Sequence, residues 1–121
     1  MVVEYFYTKQ AVGQLDLDDY SNCAIEANDD LGNFYYLIIQ SEYGIANIAE
    51  FGPINEYEIP NIAYERFRRA EVNERKLEKV LNEFLNNDKR MITQAREISI
   101  EEARSKYKPI LNYLDDRSYA E

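Results

Sequence analysis

The sequence predicts an α+β fold: a small antiparallel sheet from the N-terminal half, packed against C-terminal helices in a single domain. Three observations predict it. Up to about residue 60 the apolar residues form short β-branched and aromatic runs with a period of two. From Pro60 onward they recur with a period near 3.6. Strand-like runs precede helical ones instead of alternating with them, which is the order of α+β domains rather than of βαβ units. The 121 residues match one ordinary domain. A chain of that size buries about two-thirds of its unfolded surface, enough for a core without disulfides or metal. An acidic, β-rich half over 1–58 and a mainly helical half over 59–121 are expected, with no repeat or flexible linker between them.

Val2 to Thr8 is β-branched and aromatic and reads as a strand. Residues 10–21, rich in glycine and aspartate without clear period, read as a loop. Asn22 to Ala27 reads as a short strand, closed by the turn-like run from Asn28 to Asn33. Phe34 to Ile39 is the strongest strand. Both of its faces are apolar, as in a central strand or an edge shared with a partner. Ser41-Glu42-Tyr43-Gly44 turns the chain, with Gly44 supplying a positive φ. Ile45 to Phe51 returns with Ile45, Asn47, Ala49 and Phe51 on one face, and Gly52-Pro53 ends it.

Ala63, Phe67, Ala70, Leu77, Leu81 and Phe84 recur at helical spacings and predict a helix over 60–87, with Pro60 at its first position. Glu74 interrupts the apolar seam, so either one long helix or two joined near Val72-Asn73 fit. Asn86-Asn87-Asp88 stops it. Residues 90–98 read as a strand. Ser99 and Glu102 form a capping box that opens a helix to about Tyr107, and Pro109 breaks or kinks the chain ahead of Ile110 to Leu114. The free face of the sheet is expected to carry the acids and tyrosines.

Charge and composition narrow the function. The net charge is −9, and it is divided unequally. Residues 1–60 hold eleven acids against one base, Lys9, whereas residues 61–121 hold twelve acids and thirteen bases. Such a surface repels nucleic acid and membrane headgroups and steers basic partners toward it. No apolar run approaches the length of a membrane span, and no signal-peptide pattern opens the chain. One cysteine makes no internal disulfide, so a cytoplasmic location is expected. The chain has no histidine, which removes the usual general base, the commonest metal ligand and every imidazole triad. No enzymatic activity and no cofactor are expected.

Few motifs stand out against that background. Asp16, Asp18 and Asp19, with Asp29 and Asp30, suggest calcium, but Ser21 stands where a calcium loop needs glycine and Ala27 where it needs glutamate. No metal is expected. Cys23, without histidine to activate it, reads as a small packed residue. Tyr64, Arg66, Arg68 and Arg69 make the one basic concentration. It reads either as a phosphate contact or as a helix face of ion pairs, with Glu65 four before Arg69 and Glu71 four before Arg75. Seven of the eleven tyrosines lie in residues 1–60, where tyrosine serves both sheet packing and interfaces.

The leading expectation is a non-enzymatic inhibitor whose acidic, tyrosine-rich surface occupies the basic site of a nucleic-acid-binding protein. Carboxylates would stand where phosphates stand, as in anti-defence proteins of phages and other mobile elements. The surface comprises Asp16, Asp18, Asp19, Tyr20, Glu26, Asp29, Asp30, Tyr35, Glu42, Tyr43, Glu56, Tyr57 and Glu58. The alternative is a module holding a nucleotide-like anion through Tyr64, Arg66, Arg68 and Arg69, with those arginines freed from glutamate at a homodimer interface. A third reading uses strand 34–39 as an assembly edge.

Overall fold

The computed structural model describes residues 1–55 and 64–116. In chain order these form β1 (Val2–Tyr7), β2 (Gln10–Asp16), β3 (Cys23–Asp29), β4 (Phe34–Glu42), β5 (Ile45–Ile54), β6 (Tyr64–Glu71), α1 (Glu74–Leu85), β7 (Ile92–Ile98), α2 (Ile100–Arg104) and α3 (Lys108–Asp116). Five strands make one antiparallel sheet in the order β6-β5-β4-β3-β7, and β1 and β2 form a separate hairpin. The α+β expectation holds, and the central place of β4 follows from its two apolar faces. Hydrogen-bonded to β3 on one side and β5 on the other, β4 offers no free edge. That removes the assembly reading.

Period-two alternation sends Tyr35, Leu37 and Ile39 to one face and Tyr36 and Ile38 to the other. The first face is covered by α1, through Leu77, Leu81 and Phe84, and by the β1–β2 hairpin, through Val3, Tyr5 and Leu15. The second is covered by α2 and α3, through Ala103 and Ile110, with Tyr107, Tyr113 and Leu114 alongside. Leu37, Ile38 and Ile39 are fully buried, each worth roughly 1.5–3 kcal/mol of transfer free energy. The sheet therefore has no solvent face for acids and tyrosines to share, contrary to expectation. The exposed charge of the sheet lies mainly on the edge strands β6 and β7 and in the connections.

Two further differences have local causes. Residues 10–16 are a strand, not a loop. The turn into it, Thr8-Lys9, takes positive φ at both residues (48° and 69°) without the Asn-Gly pair that announces such turns. Leu15 is the single buried residue of this strand, so almost no apolar alternation marks it. Gly13 is required there, because a Cβ would collide with the Tyr5 hydroxyl.

The second difference is the predicted helix over 60–87. Residues 60–63 fall outside the described set, and Tyr64–Glu71 is β6, paired with β5 over eight positions. The ladder offered by β5 overrides the helical spacing of Phe67 and Ala70. The break near Val72-Asn73 is the true start of the helix. Asn73 Oδ1 accepts from the Arg75 and Lys76 amides at 3.0 and 3.3 Å, so Glu74, out of place in the seam, is the first helical residue. β5 itself runs through Gly52-Pro53 to Ile54, past a register shift opposite Phe34 and Tyr36.

The later signals hold with small changes. Asn86 caps α1, and Ser99 Oγ accepts from the Glu102 amide at 2.9 Å. The carboxylate of Glu102 instead meets Arg96 at 2.9 Å and Lys106 at 3.6 Å.

Candidate functional site

The strand register separates the charged residues across the sheet: Glu97 of β7 and Arg66 of β6 both lie level with Leu37 but on opposite edge strands. One end holds the β4–β5 turn, the entry to β3 and the exit of β7, since Cys23 lies opposite Ile39, Ala24 opposite Ile98 and Ile45 opposite Glu71. Tyr43 and Gly44 form that turn with φ of 53° and 78°, and the Tyr43 side chain stands almost free, 94% exposed. The chain between β2 and β3 is pinned beside it. Ser41 donates from its amide to Asn22 Oδ1 (2.9 Å) and from its hydroxyl to the Ser21 carbonyl (2.6 Å).

Asp19 in turn accepts from the Ser21 hydroxyl at 2.7 Å and its amide at 3.1 Å. These bonds, led by the hydroxyl, hold its carboxyl below the ordinary range. The carboxyl of Glu97, on β7, is pushed up by partial burial and then by the charges of Asp18 and Asp19. Glu42, exposed at the last position of β4, shares this end. Asp18, Asp19, Glu42 and Glu97 form no ion pair among the described residues. Asp16 lies 3.9 Å from the N-terminal amino group, and Tyr20 is partly buried against the core.

Three expected contact residues turn inward instead. Glu26 accepts from the Tyr36 hydroxyl and Arg96 Nε, both at 2.9 Å, with Lys106 Nζ at 3.5 Å. Burial pushes its carboxyl up, but these partners outweigh it and hold it low. Asp29 likewise stays low against burial, because it accepts from the amides of Leu31 and Asn33, Asn33 Nδ2 and the Tyr35 hydroxyl at 2.9–3.0 Å. Tyr35 is spent in that bond, its phenol pushed up to about 12 by burial and then by Asp29. Their alternation on half-buried strands read as surface, whereas the sheet is covered on both faces. Asp30, exposed at the opposite end, accepts from the Tyr7 hydroxyl at 3.2 Å. Glu56, Tyr57 and Glu58 lie outside the described residues.

The opposite charge gathers elsewhere. Pairing with β5 places Arg66 across from Glu50 and Arg68 across from Ile48, on the α1 face, while Arg69 falls on the other face and donates to Asn47 Oδ1 at 3.1 Å. The arginine cluster read from sequence is thus split, and Arg90, from the α1–β7 connection, takes the third place. Glu50, buried on β5, has Arg90 at 3.3 Å, Arg68 at 3.4 Å and Arg66 at 3.8 Å. Glu50, Arg66 and Arg90 border a cleft of about 770 Å³ lined also by Tyr35, Pro53 and Lys89. Tyr64 contributes backbone pairing with Gly52.

Sequence reasoning missed Glu97, Glu50 and Arg90. Glu50 alone left a signal, as the one acid in the alternation Ala46, Ile48, Glu50. Cys23 is buried and its thiol is pushed up to about 12 by burial and by Glu97 and Asp19, which leaves little thiolate to react. Among the described residues no group of carboxylates or thiol is arranged to hold a metal ion, and no helix is long and apolar enough to cross a membrane. Comparison with known proteins gives no match, whether to family models, curated proteins or solved structures.

Proposed function

We propose that the protein is a non-enzymatic inhibitor that docks its acidic end on the basic, nucleic-acid-binding site of another protein. The observation that carries this reading is the electrostatic coupling of the exposed Asp18, Asp19 and Glu97, without a counter-ion among the described residues, together with the exposed Tyr43 ring at the β4–β5 turn. Like charges coupled in this way disfavour the fold, and a cationic groove relieves them on binding. The carboxylates stand where phosphates would stand, and Tyr43 supplies buried area at small entropic cost. Glu26, Asp29 and Tyr35 drop out of the docking set, because their hydrogen bonds are internal. The working surface is Asp16, Asp18, Asp19, Glu42, Tyr43 and Glu97.

The test is affinity capture from a host lysate with wild type and with D18K/D19K/E97K. The reading expects a basic nucleic-acid-binding protein that is retained at low salt, released by competing duplex DNA, and lost with the triple variant. Retention of the same protein by the triple variant, insensitive to DNA, contradicts it.

A further inference from the structure

We propose that the cleft beside Glu50 is a binding site for a small phosphorylated molecule, with the guanidinium groups of Arg66 and Arg90 as its anion contacts. The inference stands apart from the docking surface at the acidic end. Three guanidiniums converge on one buried carboxylate, and that carboxylate serves them poorly. Arg90 Nη1 alone donates a hydrogen bond to Glu50, at 3.3 Å; Arg66 at 3.8 Å is beyond hydrogen-bond reach. Arg68 Nε and Nη2 are buried without a hydrogen-bond partner among the described residues, a state that buried polar groups rarely keep.

The two proposed contacts are prepared differently. Arg90 is fixed: Nη1 also donates to the Phe84 carbonyl at 3.2 Å, and the guanidinium lies over the Tyr35 and Phe84 rings at 4.9 and 5.2 Å. Arg66 is half exposed, 48% by side chain, so its fork stands at the mouth. A planar fork matches phosphate oxygens in pairs, which no single-point cation does. A second anion in the cleft would take up the Arg66 fork, which Glu50 leaves without a hydrogen bond, beside the fixed Arg90. With Glu50, Glu83 and Asp88 against Arg66, Lys89 and Arg90 the lining is balanced, which suits one phosphate group held by directed guanidinium bonds rather than a chain of them. The volume of about 770 Å³ exceeds a bare phosphate and falls in the range of small-molecule pockets. Gly52 and Pro53 give it a wall for the organic part.

Isothermal titration calorimetry in low-chloride buffer tests this with inorganic phosphate, adenosine monophosphate and adenosine. Saturable binding of both anions is expected, tighter for the nucleotide and absent for adenosine. Arg66→Ala, folded by circular dichroism, weakens nucleotide binding about tenfold, while Arg69→Ala on the opposite face leaves it unchanged. Phosphate binding without any gain from the nucleoside part makes the occupant inorganic phosphate and overturns the organic ligand. No saturable heat from either anion up to about 10 mM, or equal losses in both variants, overturns the site.

Discussion

Asp18, Asp19, Glu42 and Glu97 have no ion-pair partners among the described residues, whereas the arginine cleft sets Arg66, Lys89 and Arg90 against Glu50, Glu83 and Asp88. The two regions also differ in burial. The four acids are exposed, and water screens their repulsion. Glu50 has a side chain only 5% exposed, and Arg90 only 13%. Removing a partner there leaves a charge without solvent. The first region is therefore a place where substitutions change binding and barely change stability. In the second, substitutions change stability first. Glu26 shows what a settled buried carboxylate looks like in this same sheet: two hydrogen bonds at 2.9 Å and an ammonium at 3.5 Å. Glu50, with more cations and fewer bonds, is the contrast.

The largest expected effect comes from Glu50→Ala, which strands the largely buried Arg68 and Arg90 guanidiniums and should cost about 3–5 kcal/mol in urea denaturation. A loss under about 1 kcal/mol would erase the difference in burial on which the comparison rests. Next is Asp29→Ala, which leaves the Leu31 and Asn33 amides and the Tyr35 hydroxyl without their acceptor. A loss of about 2–3 kcal/mol is expected, with a fall in the Tyr35 phenol that ultraviolet titration would read.

Acid sharpens the comparison further. Glu26 and Asp29 are held low in the fold, so the unfolded chain takes up their protons first. Their stabilisation is complete above the unfolded carboxylate values near pH 4 and is lost as pH falls through the lower folded values. Glu97 is held high, so its contribution has the opposite sign: present below the unfolded value and lost as pH rises through the folded one. Urea midpoints should fall below about pH 4, less steeply in Glu26→Gln. The smallest effect belongs to Glu97→Gln, a gain of a few tenths of a kcal/mol at neutral pH that vanishes in high salt.

Much of the fold was legible because its strongest signals were local. Phe34 to Ile39, with two apolar faces, read as a central strand or a shared edge and is the central one, and Ser99 caps α2 as its spacing requires. What misled was context. Phe67 and Ala70 have helical spacing but pair with β5, and Thr8-Lys9 turns the chain without turn residues. The site was less legible for the same reason. Arg66, Arg68 and Arg69 are neighbours in sequence, yet a strand sends alternate residues to opposite faces, and Arg90 joins from 22 residues beyond Arg68. Glu97 gathers with Asp18 and Asp19 only because β7 pairs with β3, a contact across some seventy positions.

The most direct measurement of the central claim is the dissociation constant of the captured partner as a function of salt, for wild type, D18K/D19K/E97K and Arg66→Ala. Wild type and Arg66→Ala should weaken together with rising salt, and the triple variant should bind at least about tenfold more weakly at low salt with a flattened salt dependence. A triple variant that binds as wild type does, at every salt concentration, would contradict the acidic end as the docking surface.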